Sequence, residues 1–405
     1  MMNVKGSANQ VVQQIVQALE EHYPHHPYHG LLGGNTGTAL FFAYYYQLTG
    51  DEKLLEKSYQ IIEHSLQSIA DSSLHASHCS GLAGVGWALL HLAEMGYIEA
   101  NDLDSTFSDI DTILSKELRT DLANGQTDFL HQGLGIALYF LSRLPSGFAG
   151  EQLQFLVKQL WEHRIILDGG ISWKDQFSTI SQTTPGRDLF NLGLAHGVPA
   201  IITILSKIYK AGIEKELCHT MINDSIQWLL STKNNDSSPT ISLYPVLIDA
   251  KGNTAGDRHS RLGWCYGDLG IACMYLNVGI NTQNQQYISI SEEMFMHIAR
   301  NRDIQNGSVH DACICHGSSG IALMLQQSYK AFGNSLLQQR SNFWWEHSLQ
   351  QNTWPDGAAG YKFYHHPNYT TNFNLLEGVS GIGLSLIHCL EPSLSANWAG
   401  ALLIN

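Results

Sequence analysis

Gly81-Leu82-Ala83-Gly84-Val85-Gly86-Trp87 decides the reading of the whole chain, because its pattern recurs: a small residue, two others, a second small residue, then an apolar run with helical character. The same phrase stands at Gly34-Asn35-Thr36-Gly37-Thr38-Ala39-Leu40 and Gln132-Gly133-Leu134-Gly135-Ile136-Ala137-Leu138. It returns at Gly197-Val198-Pro199-Ala200-Ile201, Gly267-Asp268-Leu269-Gly270-Ile271-Ala272, Gly317-Ser318-Ser319-Gly320-Ile321-Ala322 and Gly378-Val379-Ser380-Gly381-Ile382-Gly383. Those are seven copies, with second small residues at 37, 84, 135, 200, 270, 320 and 381. Spacings of about 47 to about 70 residues leave room for two helices and their connections in each unit.

The segments between the phrases read as amphipathic helices: 11–22, 54–70, 104–122, 152–163, 213–230, 286–298 and 336–349. Helices opening at the phrases, such as Ala39-Leu40-Phe41-Phe42-Ala43-Tyr44-Tyr45, are apolar nearly all round and should be buried. Seven buried helices alternating with seven half-exposed ones predict an all-α fold, an inner ring wrapped by an outer ring. An open helical solenoid built from the same repeats has the same periodicity. Strand signals are weak, and the best is 240–248. One domain over residues 1–405 is expected.

Composition bounds the function. Hydrophobic residues at 44% supply a large core, and charged residues at 14% fall below the roughly 25% usual in globular chains. The net charge of −14 without basic runs argues against a sequence-independent nucleic-acid binder. The first thirty residues hold no signal core, and no apolar run approaches the roughly 18 residues of a membrane span. Seven cysteines, an odd number spread thinly, argue against a disulfide framework and for a reduced, cytoplasmic protein.

Equivalent helices would place the residues before each phrase at one end. Five positions before the second small residue lie Cys79, Cys265 and Cys315; four before it lie Ser80, His131, His196, Tyr266, His316 and Glu377. Cys265 and Cys315, from consecutive repeats, form with His316 a soft donor set suited to zinc that leaves a fourth tetrahedral position open. His196 could move a proton near neutral pH. Asp128 would orient or charge-pair a rim histidine, or simply cap a helix. Arg261, four residues before Cys265, could hold a carboxylate or a developing oxyanion. His75-Ala76-Ser77-His78-Cys79 looks like a metal motif, yet repeat two stands away from repeats five and six. Cys313, Cys218, Cys273 and Cys389 read as packing.

Ser260-Arg261-Leu262-Gly263-Trp264-Cys265-Tyr266-Gly267-Asp268-Leu269-Gly270, Cys315-His316-Gly317 and Gly193-Leu194-Ala195-His196-Gly197-Val198-Pro199 closely resemble the lanthionine synthetase C-like family, the lantibiotic cyclases. The resemblance covers essentially the whole chain. It implies an α/α toroid with zinc held by Cys265, Cys315 and His316, and a catalytic site of His196, Asp128, Arg261 and Tyr266. It further implies a precursor peptide carrying dehydroalanine or dehydrobutyrine and cysteines, whose thiols close thioether rings, with a dehydratase and an exporter as companions. Thiol addition of glutathione to dehydrated proteins uses the same metal site, and a non-catalytic peptide-binding toroid is the alternative outside catalysis. Gln132, where the family has glycine, bears on the placement of Asp128, with His131 as a nearby substitute; Ala200 closes the fourth phrase.

Overall fold

The computed structural model describes residues 4–71, 75–99, 104–184, 186–234 and 240–404. All seven apolar helices form where the phrases begin them: Asn35–Thr49, Leu82–Glu94, Gly133–Ser142, Val198–Lys210, Asp268–Thr282, Ser318–Phe332 and Val379–Leu390. The seven amphipathic helices are Val4–His22, Glu52–Asp71, Asp104–Ala123, Gly147–Glu162, Lys215–Ser231, Gln285–Asn301 and Ser335–Gln350. Each residue from Asn35 to Tyr45 is buried, which accounts for a helix without a polar face.

The chain divides into two compact units. One comprises residues 1–99 and 308–398, the other residues 100–307 and 399–405. In the first unit the buried helices of repeats six, seven, one and two pack side by side in that order. The first and last repeats are therefore neighbours: the Thr38 and Ser380 hydroxyls meet at 2.9 Å, and the N-terminal helix covers the buried helix of repeat seven. An open solenoid would leave these repeats at opposite ends. In the second unit the buried helices of repeats three, four and five pack in sequence.

A serine recurs in the helix pairs. Ser58, Ser291 and Ser341, each buried in an amphipathic helix, donate to the carbonyls of Ala39, Ala272 and Ala322 at 2.8–2.9 Å. Each thus pins its helix to the buried helix before it, two residues past the second glycine. The glycines allow the chain to fold under the helix start. A Cβ at Gly84 or Gly320 would overlap the carbonyl oxygen six residues earlier, of His78 or Ile314. Among the residues that open the seven buried helices, Gly267 alone has a positive φ, of 99°.

Strands are confined to three two-stranded hairpins or pairs among the described residues, among them Leu189–Asn191 with Leu247–Asp249. Of the expected strand 240–248, only its end joins this pair. The amides of Leu243 and Tyr244 donate instead to the carboxylate of Asp268, at 2.8 and 3.1 Å, which removes them from any ladder.

Candidate functional site

The loops that open the buried helices share a backbone connection invisible in the sequence. In the first unit the Leu32 amide donates to the Cys79 carbonyl at 2.8 Å, Leu376 to Leu32 at 3.0 Å, and Cys315 to Leu376 at 3.0 Å. In the second, Ala195 donates to Cys265 at 3.3 Å. All six residues stand five positions before the second small residue of their repeat. The register counted from the phrases is thus written in hydrogen bonds, and Cys265 and Cys315 occupy equivalent positions of it.

Cys315 and His316 sit together at the start of the repeat-six helix, both buried, with donor atoms within 4.8 Å of each other. Asp311 and Cys313 shape their turn. Asp311 accepts from the Cys313 amide at 3.0 Å and the Tyr364 amide at 2.8 Å, and His316 Nε2 lies 3.9 Å from the oxygen that takes Tyr364. The Cys313 sulfur takes the His316 amide at 3.5 Å, and burial pushes its thiol well above the ordinary range. Asp311, Cys313 and His316 also bring three donor atoms within 4.8 Å of one another, a group that shares His316 with the expected set of Cys265, Cys315 and His316. Burial likewise pushes Cys218, Cys273 and Cys389 up to about 12, as expected of core thiols. His75, His78 and Cys79 yield no three-donor group among the described residues.

Asp128 and His196 meet in the second unit. His196 Nδ1 lies 2.6 Å from Asp128 Oδ2, and the other carboxylate oxygen accepts from the amides of Leu130 and His131 at 3.0 and 2.8 Å. Gln132, the departure from glycine, strengthens this turn. Its side chain accepts from the Asp128 amide at 3.1 Å while its own amide donates to the Asp128 carbonyl at 3.1 Å. His131 does not replace Asp128; it is exposed and stacks on Phe177. Burial pulls the His196 pKa down, but the hydrogen bond and charge of Asp128, with Cys265 and Asp175 behind, raise it on balance above 6.5.

Tyr266 lies beside His196, ring centroids 5.8 Å apart, and its hydroxyl is hydrogen-bonded to the Asn191 side chain. Burial holds that phenol well above its usual range, so it remains a hydroxyl at neutral pH. Arg261 is exposed on the loop that carries Cys265. That loop is fastened by two groups the sequence reading passed over. Arg302 Nη1 donates to Asp268 Oδ2 at 3.0 Å and Nη2 to the Ser260 carbonyl at 2.7 Å, with Arg302 and Asp268 both essentially inaccessible. The Trp264 indole donates to the Leu402 carbonyl at 2.7 Å.

The Asp128 contact carries a pH signature. Asp128→Asn keeps an oxygen for the two amides but removes the charge, so the His196 pKa should fall. A histidine whose folded pKa is raised adds stability that is complete below the unfolded value near 6.5 and lost as pH rises through the folded value. The stability gap between wild type and Asp128→Asn should accordingly narrow above about pH 6.5. Denaturant unfolding at several pH values, beside an NMR titration of His196, measures both.

The sequence matches the family model described as lanthionine synthetase C-like protein over residues 28–403. Among curated proteins it is similar to the nisin biosynthesis protein NisC of Lactococcus lactis subsp. lactis, at 23% identity over 258 residues. That alignment takes in 61% of this chain and 61% of the relative, so the chain matches about three fifths of the relative's length. Its structure is similar to that of a nisin cyclase, with a TM-score of 0.77 and 20% identity, covering 100% of this chain and 98% of the other. The fold is thus all-α, as the repeats predict, and the α/α toroid that the family resemblance implies. No helix among the described residues is long and apolar enough to cross a membrane.

Proposed function

The chain belongs to the lanthionine synthetase C-like family, and from that premise we propose that it is a zinc-dependent peptide cyclase acting as one domain in the cytoplasm. Its substrate is a dehydrated precursor peptide, supplied by a dehydratase and passed on to an exporter. The observation that carries the reading is the Asp128–His196 pair, held at 2.6 Å in the same unit as Cys265 and Tyr266. A pair so arranged serves proton transfer rather than packing.

Cys265, Cys315 and His316 are the metal ligands in this reading. Two thiols and an imidazole fit zinc, and the equivalent register of the two cysteines supports their common use. Bound there, zinc would lower the pKa of a peptide cysteine from about 8.5 and leave one position open for its sulfur. The residues of the chain do the rest. Asp128 accepts from Nδ1 of His196 and fixes the imidazole, leaving Nε2 to take the proton of the incoming thiol. Addition of sulfur to the β-carbon of dehydroalanine or dehydrobutyrine puts negative charge on the adjoining carbonyl oxygen, which Arg261 can meet. Protonation of the α-carbon, by His196 or through the Tyr266 hydroxyl, completes the thioether.

Incubation with a dehydrated precursor should remove free thiol at unchanged peptide mass. Addition of glutathione would instead raise the mass, and binding without thiol loss would mark a scaffold. Metal analysis should find about one zinc per chain, since the two groups of three donors share His316. Cys315→Ala should lose the metal, whereas Cys79→Ala and Cys313→Ala should retain it. Full zinc occupancy in Cys315→Ala would overturn the ligand assignment.

A further inference from the structure

Between the hairpin ending at Ser172 and the strand beginning at Leu189, the segment Trp173–Thr184 crosses the Asp128–His196 pair. Asp175, itself buried, holds its near end. One carboxylate oxygen accepts from the amides of Phe177 and Ser178 at 3.2 and 3.3 Å, and the other from the hydroxyls of Ser178 and Ser181. The Asp175 amide donates to the Leu189 carbonyl at 2.7 Å, and Gln176 Nε2 donates to the Gly125 carbonyl at 3.1 Å. Phe177 is thereby fixed as a flat ring on His196, centroids 5.1 Å apart with 8° between the planes. It also stacks on His131 at 4.7 Å and 15°.

We infer that Phe177 is a positioning residue for His196, and that Asp175, besides its direct charge on the histidine, acts by holding Phe177 in place. The inference rests on the cyclase reading for its kinetic consequence, though not for its geometry. A single hydrogen bond from Nδ1 to Asp128 fixes one edge of the imidazole but leaves the ring free to rotate about that edge. Rotation would carry Nε2, the atom that must meet the substrate proton, out of line. A parallel ring against one face removes that freedom, and a planar ring does so better than an aliphatic side chain of similar volume. Such an arrangement keeps the proton-transfer atom aimed before substrate arrives, the condition under which orientation contributes to rate. The hydrogen bonds of Phe177 to Asp175 and Gln182 use its backbone and not its ring, so the side chain can be changed with the turn intact.

The test compares Phe177→Leu, Phe177→Tyr and Asp175→Asn in the full chain loaded with zinc. With a dehydrated precursor, Phe177→Leu should lower kcat by roughly 10- to 100-fold, the range that slight misplacement of a reacting group produces, with KM little changed. Phe177→Tyr should restore most of kcat, and Asp175→Asn should fall between. Zinc content and unfolding midpoint should stay close to wild type for both Phe177 variants. Without substrate, the His196 ring proton resonances should carry an upfield ring-current shift in wild type and Phe177→Tyr that disappears in Phe177→Leu. Equal kcat in wild type and Phe177→Leu would overturn the positioning role, as would a loss shared equally by Phe177→Tyr. If wild type forms no thioether, the cyclase reading fails instead, and the resonance shift still decides whether Phe177 orders His196.

Discussion

His196→Asn should slow ring formation by about 10²–10⁴-fold, the contribution of a positioned acid or base, while leaving zinc in place and the fold intact. The amide can still meet Asp128, so the buried carboxylate keeps a hydrogen-bond partner, and the turn in which it accepts from Leu130 and His131 is not disturbed. Slow spontaneous addition of thiols to dehydro residues would persist in this variant, without control over which rings form. Replacement of Cys265 should cost more, because it removes a ligand of the ion that activates the thiol. Rate and zinc content measured for both variants under one set of conditions separate the roles. Wild-type turnover by His196→Asn would remove the histidine from catalysis. Loss of zinc would make it a ligand or a support of one.

The second large effect falls on stability. Arg302→Met should destabilise the chain by about 3–5 kcal/mol, the cost of stranding one member of a buried ion pair. Asp268 would keep the amides of Leu243 and Tyr244 but lose the guanidinium, and the Ser260 carbonyl would lose its donor. Adding Asp268→Asn should recover part of the loss, since a carboxamide oxygen still accepts from both amides and no charge is stranded. Denaturant midpoints of the single and double variants measure this. A single variant within 1 kcal/mol of wild type would mean that water or a rearranged side chain replaces the pair.

The helices were legible because burial leaves a periodic mark. Apolar residues nearly all round Ala39–Tyr45 and a stripe along Glu52–Asp71 follow from where each surface goes. Amphipathic helix starts were less legible, by up to seven residues at Val4. Helix turns whose exposed side chains carry no pattern cannot be read by pattern. The Asp128–His196 pair could be proposed because both residues precede a phrase and so share a register. Phe177, Asp175 and Arg302 stand outside that register, on connecting segments whose course no periodicity records. Asp268 lies inside the quoted motif, yet its partner is 34 residues away and nothing local points to it. The failed strand at 240–246 has the same cause, since its amides answer to a carboxylate more than 20 residues downstream.

The backbone bonds between helix-opening loops bear on where this chain can gain or lose residues. Leu32, Cys79, Cys315 and Leu376 are joined in the first unit, and Ala195 with Cys265 in the second, always five residues before the second small residue. An insertion between that point and the helix would break the bonds to the loops on either side and swing the cysteine or histidine away from its level. An insertion further upstream would be absorbed by the connection. The repeats already behave this way: their lengths differ by more than twenty residues, yet in the six repeats so joined the interval is five residues each time. Loop grafts and tags should therefore be tolerated in stretches such as Gly147's approach or the tip at Lys251-Gly252, and deletions within the last few residues before each phrase should not. The tolerance to length is set by the distance to the nearest shared amide rather than by exposure alone.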